Sequence, residues 1–379
     1  MKQKRRTTKV LAVALLLLTA LLLLIIPQVT GVSLARPDAG VTPTPHMLYP
    51  LAGHITEQQS AWHQSYAEAK VGDVQGFHLV SPEEGWLLID QHLYWTKNGG
   101  QSWDNITPSN LDQSIIRAVS FVDAQHGWLV LANSDEPGFI TYAVAQTSDN
   151  GSTWQITPLS LFKSRDVNSL AATVYLHLLD TQTGWLVIKR VTSSNFSMGT
   201  LFKTTDGGNT WTQLSIPIGE LVYFVTREIG WTAGGAAGDE LYRTQDGGHT
   251  WHPQTIDSPL ALTDRRRLYQ LPIFENEREG VLPVVVTDGD KGWVEFHVTS
   301  DGGQSWVLAT SVPVEGTHLP LSVLDARHWM MVVPNSEQLL SMANRGTTMT
   351  TSQSPMLAGV VELDMATPSI GWAKYMNGS

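Results

Sequence analysis

The sequence predicts an all-β chain, a propeller of four-stranded blades, seven in number, preceded by an N-terminal apolar helix. Three observations carry this reading. A nine-residue turn motif occurs five times, with a worn sixth copy. A Gly-Trp pair or a near equivalent precedes each turn, and successive pairs lie 42 to 57 residues apart, close to the period of four-stranded blades. Between these signals, apolar alternation and β-branched residues favour strands over helices.

Residues 1–35 read as a targeting device. Lys2, Lys4, Arg5, Arg6 and Lys9 form a basic start, and Val10 to Ile26 is apolar apart from Thr19. That length lies between a signal-peptide core and a short membrane span. Ser33-Leu34-Ala35 offers small residues for cleavage, so a cleaved signal and an uncleaved anchor both fit. Either way the remainder is expected outside the cytoplasm. Residues 36–72 read as a Pro-containing linker and a candidate ring-closing segment, and 73–379 as the propeller.

Each unit then reads as four strands. The first is short and apolar, as in Ala118 to Asp123, Tyr175 to Asp180 and Leu319 to Asp325. The second opens at Gly85-Trp86, Gly127-Trp128, Gly184-Trp185, Gly230-Trp231, Gly280-Val281, His328-Trp329 and Gly371-Trp372. Gly292-Trp293 leads straight into Asp301 and is assigned to a third strand. The third strand runs into the turn motif, and the fourth starts at its Trp. The seventh unit, from about Gly359, supplies two strands only. Residues from about His46 to Val74 are expected to complete it. A six-bladed ring with extra strands is the alternative.

The turn motif has the chemistry of a hairpin corner. Its copies are Asn98-Gly99-Gly100 with Trp103, Asp149-Asn150-Gly151 with Trp154, and Asp206-Gly207-Gly208 with Trp211. Asp246-Gly247-Gly248 with Trp251 and Asp301-Gly302-Gly303 with Trp306 follow, and Asn344-Arg345-Gly346 with Met349 is degenerate. Asp folds its carboxylate onto backbone N–H groups two residues on. The next two positions suit positive φ. The Trp plugs its own hairpin. Recurrence of one residue type in most corners argues for a structural role over catalysis.

These residues match the Asp-box, or bacterial neuraminidase, repeat. With the preceding Asp-x-x-x-Gly-Trp, residues 73–376 resemble the propellers of the photosystem II assembly and stability factor family and of the sortilin ectodomain. The resemblance implies a corner at the blade periphery, away from the ligand face, and a role in protein or glycan binding. Asn98, Asn150 and Met349 depart from the repeat, and the cysteine-rich modules of sortilin are absent.

Composition narrows the function. The absence of cysteine excludes disulfides, cysteine zinc sites and thiol catalysis. Of the 24 Lys+Arg, five lie in the first 35 residues, which hold none of the 35 Asp+Glu, so the rest carries a net charge of −16. Such a body repels nucleic acid and anionic lipid. The run Arg265-Arg266-Arg267 reads as a solvated loop.

The expected function is a non-catalytic binding or assembly module with an unknown protein or glycan partner. No cofactor, catalytic residue or metal ligand is assigned. Candidate contact loops are Glu83-Glu84, Gln125-His126, Glu228, Arg327-His328, the insertion Asn133 to Pro137, and Ser193-Ser194-Asn195. The competing reading is a glycoside hydrolase. A sialidase needs converging arginines, for which Arg117, Arg165, Arg190, Arg227, Arg243, Arg278, Arg327 and Arg345 are available. A xyloglucanase needs facing carboxylates, for which Asp123, Asp180, Asp325 and Asp364 are the candidates. Asp288-Gly289-Asp290 is too short for a calcium loop and reads as a hairpin turn.

Overall fold

A short apolar strand followed by a turn and Gly-Trp recurs because each sheet must bury both faces against its neighbours. The computed structural model describes residues 74–376 except 112, 137–138, 160–172, 191–195, 257–264, 290, 316–318 and 335, together with the backbone of 10–18, 49–54 and 61–63. Residues 74–105, 115–159, 174–214, 222–253, 266–314 and 321–353 form six blades, each a sheet of antiparallel strands in chain order. In blade 5 the first strand is broken into Arg266–Tyr269 and Ile273–Phe274, both paired to the second strand. Pro272, which has no N–H to give the ladder, sits in the break. The insertion at Asn133 extends the Gly127–Glu136 strand, and Trp293 lies on the third strand, Lys291–Thr299.

The tryptophan of each Gly-Trp pair is the core. Trp185, Trp231, Trp329 and Trp372 are fully buried. The glycine is required by its neighbour. A Cβ at Gly127 would stand 2.3 Å from the Phe121 ring, and one at Gly230 would stand 2.5 Å from Phe224. In blade 6 His328 takes that place, and a bulge between Val323 and Asp325 shifts the pairing there.

The expectation of seven blades is corrected to six four-stranded blades. After blade 6 the chain forms the hairpin Val360–Thr367 and Ile370–Met376. This hairpin packs between blades 6 and 1. Leu363, Met365 and Ala373 join Met330, Val332 and Leu339, while Trp372 joins Phe77, Leu79 and Leu87. Its outer edge is paired by residues from far upstream. Val10–Leu18 runs antiparallel to Ile370–Met376, Tyr49–His54 runs parallel to Val10–Leu18, and Ala61–His63 completes the sheet. The expected N-terminal helix is not seen in Val10–Leu18, which is extended; an open strand edge supplies the backbone partners that such an apolar segment needs. Among the described residues no helix is long and apolar enough to cross a membrane.

Candidate functional site

The repeated corners are held by their own side chains. In blade 4 the Thr244 hydroxyl accepts the Gly248 N–H at 3.0 Å and donates to Asp246 Oδ1 at 2.8 Å. Asp246 also accepts the Thr250 N–H at 2.8 Å and the Thr250 hydroxyl at 2.6 Å. Blades 2, 3 and 5 repeat this set around Asp149, Asp206 and Asp301, and blade 1 keeps it with Asn98 except that the Asn98 amide donates to the Ser102 hydroxyl instead of accepting from it. The aspartate thus reaches the residue four on, two further than expected from the sequence.

Partial burial pushes the Asp246 and Asp301 carboxyls up. The donated hydrogen bonds outweigh it and hold both at about 2. The glycines take positive φ, 75° and 95° at Gly207 and Gly208, and Asn150 enters the same region at 59°. Trp103, Trp211 and Trp251 donate their indole N–H to the carbonyls of Gly100, Gly208 and Gly248, whereas Trp154 reaches Ile106. The buried threonines Thr96, Thr147, Thr204, Thr244 and Thr299 are the hubs, and the site residues assigned from sequence omit them. Their signal was a Thr two residues before each Asp or Asn.

The first turns are sewn to these corners. Gly99, Asn150, Gly207, Gly247, Gly302 and Arg345 donate their N–H to the carbonyls of Glu83, Gln125, Gln182, Glu228, Arg278 and Arg327. The candidate contact loops Glu83-Glu84, Gln125-His126, Glu228 and Arg327-His328 therefore lie on the corner face as structural turns. The carboxylates proposed for hydrolysis are used there too. Asp123, Asp180 and Asp325 each cap the amides two and three residues on in their own turn. Arg227 pairs with Asp180, Arg243 donates to Gly302 O, and Arg327 and Arg345 face Glu279. Arg165 and Ser193 to Asn195 lie outside the described residues, as do the side chains from Ser134 to Pro137.

Asp364 departs from that pattern. It accepts the Leu79 N–H at 2.7 Å and faces His78 Nδ1 at 3.0 Å, bridging the closing hairpin to blade 1. It belongs to a series of latches between innermost strands, whose inner edges have no sheet partner among the described residues. His177 Nε2 meets the Phe224 N–H, Tyr223 Oη accepts from Phe274, and Ser322 Oγ accepts from Met365. Each satisfies an otherwise orphaned backbone donor. Sequence reading missed them because the side chain differs at every junction. It also missed the buried Glu295–His297 pair of blade 5, 3.0 Å apart, two polar residues on one side of an apolar strand.

The opposite face, built from the hairpins between second and third strands and the links between blades, keeps polar groups beside apolar ones. At the junction of blades 3 and 4, Lys189 Nζ lies 2.5 Å from Glu220, and Ser197 Oγ lies 2.6 Å from the same oxygen. Tyr175 lies beside this pair, and burial followed by the Glu220 charge raises its hydroxyl pKa. Around them Phe196, Met198 and Leu221 are exposed at 65%, 51% and 37%. Gly219 lets the two blades touch here, since a Cβ would meet the Met198 carbonyl at 2.2 Å. The arginine run is also on this face, and each member is engaged. Arg265 pairs with Asp288 over the Trp293 ring, while Arg266 and Arg267 donate to the carbonyls of Ala237 and Ile256. Asp288 ends a hairpin strand, and no cluster of three metal-ligating side chains occurs among the described residues.

No family model matches the chain, and no curated protein matches its sequence. Solved structures do match in fold. A propeller described as YCF48 bound to D1 peptide is 18% identical, with a TM-score of 0.53, over 81% of this chain and 93% of that one. The GH74 enzyme of Niastella koreensis gives the same identity and TM-score, over 81% of this chain and 52% of its own. The GH74 xyloglucanase of Xanthomonas campestris is 14% identical, with a TM-score of 0.50, over 77% of this chain and 46% of its own. The chain thus spans about half the length of the GH74 chains it matches. These likenesses establish the propeller fold, which hosts both a peptide-bound protein and glycoside hydrolases.

Proposed function

We propose that the chain is a non-catalytic protein-binding or assembly propeller that works outside the cytoplasm. One observation carries the binding reading: the recurrent carboxylates and hydroxyls of the corner face are engaged in their own turns, while Phe196, Met198 and Leu221 stand exposed beside the Lys189–Glu220 pair on the other face. Exposed apolar residues rimmed by polar ones suit a protein partner. The peptide-bound propeller of the same fold supports the choice of a protein ligand. The basic start and apolar run of residues 1–35 support export. N-terminal sequencing of the mature protein decides whether that run is removed or retained along the last strand.

A photocrosslinking residue placed at Phe196 tests the assignment in the native cell envelope. A defined protein adduct from position 196, absent from position 84 on the corner face, is expected. Equal labelling from both positions removes the assignment. Turnover of fluorogenic sialosides or a β-glucan panel that vanishes on changing Asp123 or Asp180 replaces it with the hydrolase reading.

A further inference from the structure

Propeller blades end in outer strands whose free edges invite pairing, and proteins protect such edges with short strands, proline, charge or bulges. Five blades here carry such a device. The outer strands of blades 1, 3 and 4 are two or three residues long: Asp104–Asn105, Thr212–Leu214 and His252–Pro253. Blade 2 has Pro158 within Gln155–Leu159, and blade 5 has Pro313 and a bulge in Val307–Val314. The outer strand of blade 6 has none of these. Thr348–Gln353 is six residues long and pairs without a shift from Ala343↔Thr348 to Gln338↔Gln353. It contains no charge, proline or glycine, five of its six residues are exposed on both faces of the sheet, and it ends its sheet among the described residues. The corner before it is also the degenerate one, where Met349 replaces the plugging Trp and is 53% exposed.

We infer that this strand pairs with its counterpart in a second copy of the chain, joining two sixth blades into one antiparallel sheet about a two-fold axis. Charge selects a second copy. The body is strongly acidic, so two copies repel wherever their charged surfaces meet, and Thr-Met-Thr-Thr-Ser-Gln is a neutral stretch of rim. Self-pairing also places like on like. With the axis through Thr351, Thr351 of one copy faces Thr351 of the other, and Thr350 faces Ser352. Such threonine pairs stabilise antiparallel sheets, and no like charges are opposed. Six paired residues form a small interface, so a dimer that dissociates on dilution and tightens with salt is expected. This inference is independent of the partner proposed at Phe196.

The chain has no cysteine, so a single introduced thiol reports the contact. Thr351→Cys is oxidised in the full-length protein beside Thr212→Cys, which sits on the short outer strand of blade 3. Rapid disulfide-linked dimer from Thr351→Cys and little from Thr212→Cys is expected. Sedimentation of the Thr350→Lys/Thr351→Lys double variant should show the dimer lost, with the circular dichroism unchanged and Thr350→Val still dimeric. A wild-type chain that stays monomeric at all concentrations overturns the inference. So do equal rates from the two thiols, or a dimer that the lysines leave intact.

Discussion

Blades 4 and 6 follow one plan, and their outer ends differ. In blade 4 the Thr244 hub, the Asp246 acceptor and the Trp251 plug close the corner, and the outer strand stops at Pro253. In blade 6 Met342 stands two residues before Asn344, where the other corners carry the hub threonine. The side-chain bond there runs from Asn344 Nδ2 to Thr348 Oγ1 at 3.2 Å, and the outer strand runs on for six residues. The turn survives because Asn344 and Arg345 accept positive φ, 53° and 59°, before Gly346. Backbone geometry therefore forms the corner, side-chain closure stabilises it, and the blade without closure is the one whose edge is left available.

The largest effect should come from the inter-blade tryptophan. Trp231→Ala removes a fully buried indole that meets the fifth corner through Gln254, at a cost of about 3–5 kcal/mol in denaturant unfolding. Met349→Ala, at the corner position of blade 6, should cost almost nothing. Next comes the hub. Thr244→Val leaves the buried Gly248 N–H without its acceptor, worth about 1–3 kcal/mol, and Thr348→Val should be silent by comparison.

Two histidines at equivalent positions give a smaller contrast, of opposite sign. Burial lowers the His177 pKa to about 4, although its bond to Phe224 works the other way. A depressed imidazole stays neutral in the fold while the unfolded chain takes up protons, so stability falls as pH drops from about 6.5 towards 4. His177→Gln should flatten that loss in thermal melts. His78 is raised instead; burial opposes its charge, but the Asp364 hydrogen bond and charge outweigh it. Its contribution is fully present below about pH 6.5 and is lost as pH rises through the raised value. His78→Gln should therefore cost more at pH 6 than at pH 9. The smallest effect should be Met349→Trp, which restores the plug and gains under about 1 kcal/mol in the same melts.

The corners were legible because their chemistry sits at fixed offsets in one stretch: Asp, two turn residues, then Trp. The Gly-Trp strands were legible for the same reason. The number of blades was not, because the closing sheet pairs residue 10 with residue 376 and carries no motif. The latches were hidden for a related cause. Asp364 looks like another turn-capping acid in sequence, yet its partners lie 285 residues away in the chain. The candidate binding face was signalled only by the polar insertion Ser193-Ser194-Asn195 that precedes Phe196, since the exposure of Phe196 and Met198 follows from where blades 3 and 4 place them and not from residue type.

The most direct test of the structural reading replaces Asp206, Asp246 and Asp301 together with alanine and follows thermal unfolding beside photocrosslinking at position 196. Loss of three caps should cost about 0.5–2 kcal/mol each and lower the Tm by several degrees, with the crosslinked adduct retained. An unchanged Tm with the adduct lost would contradict it.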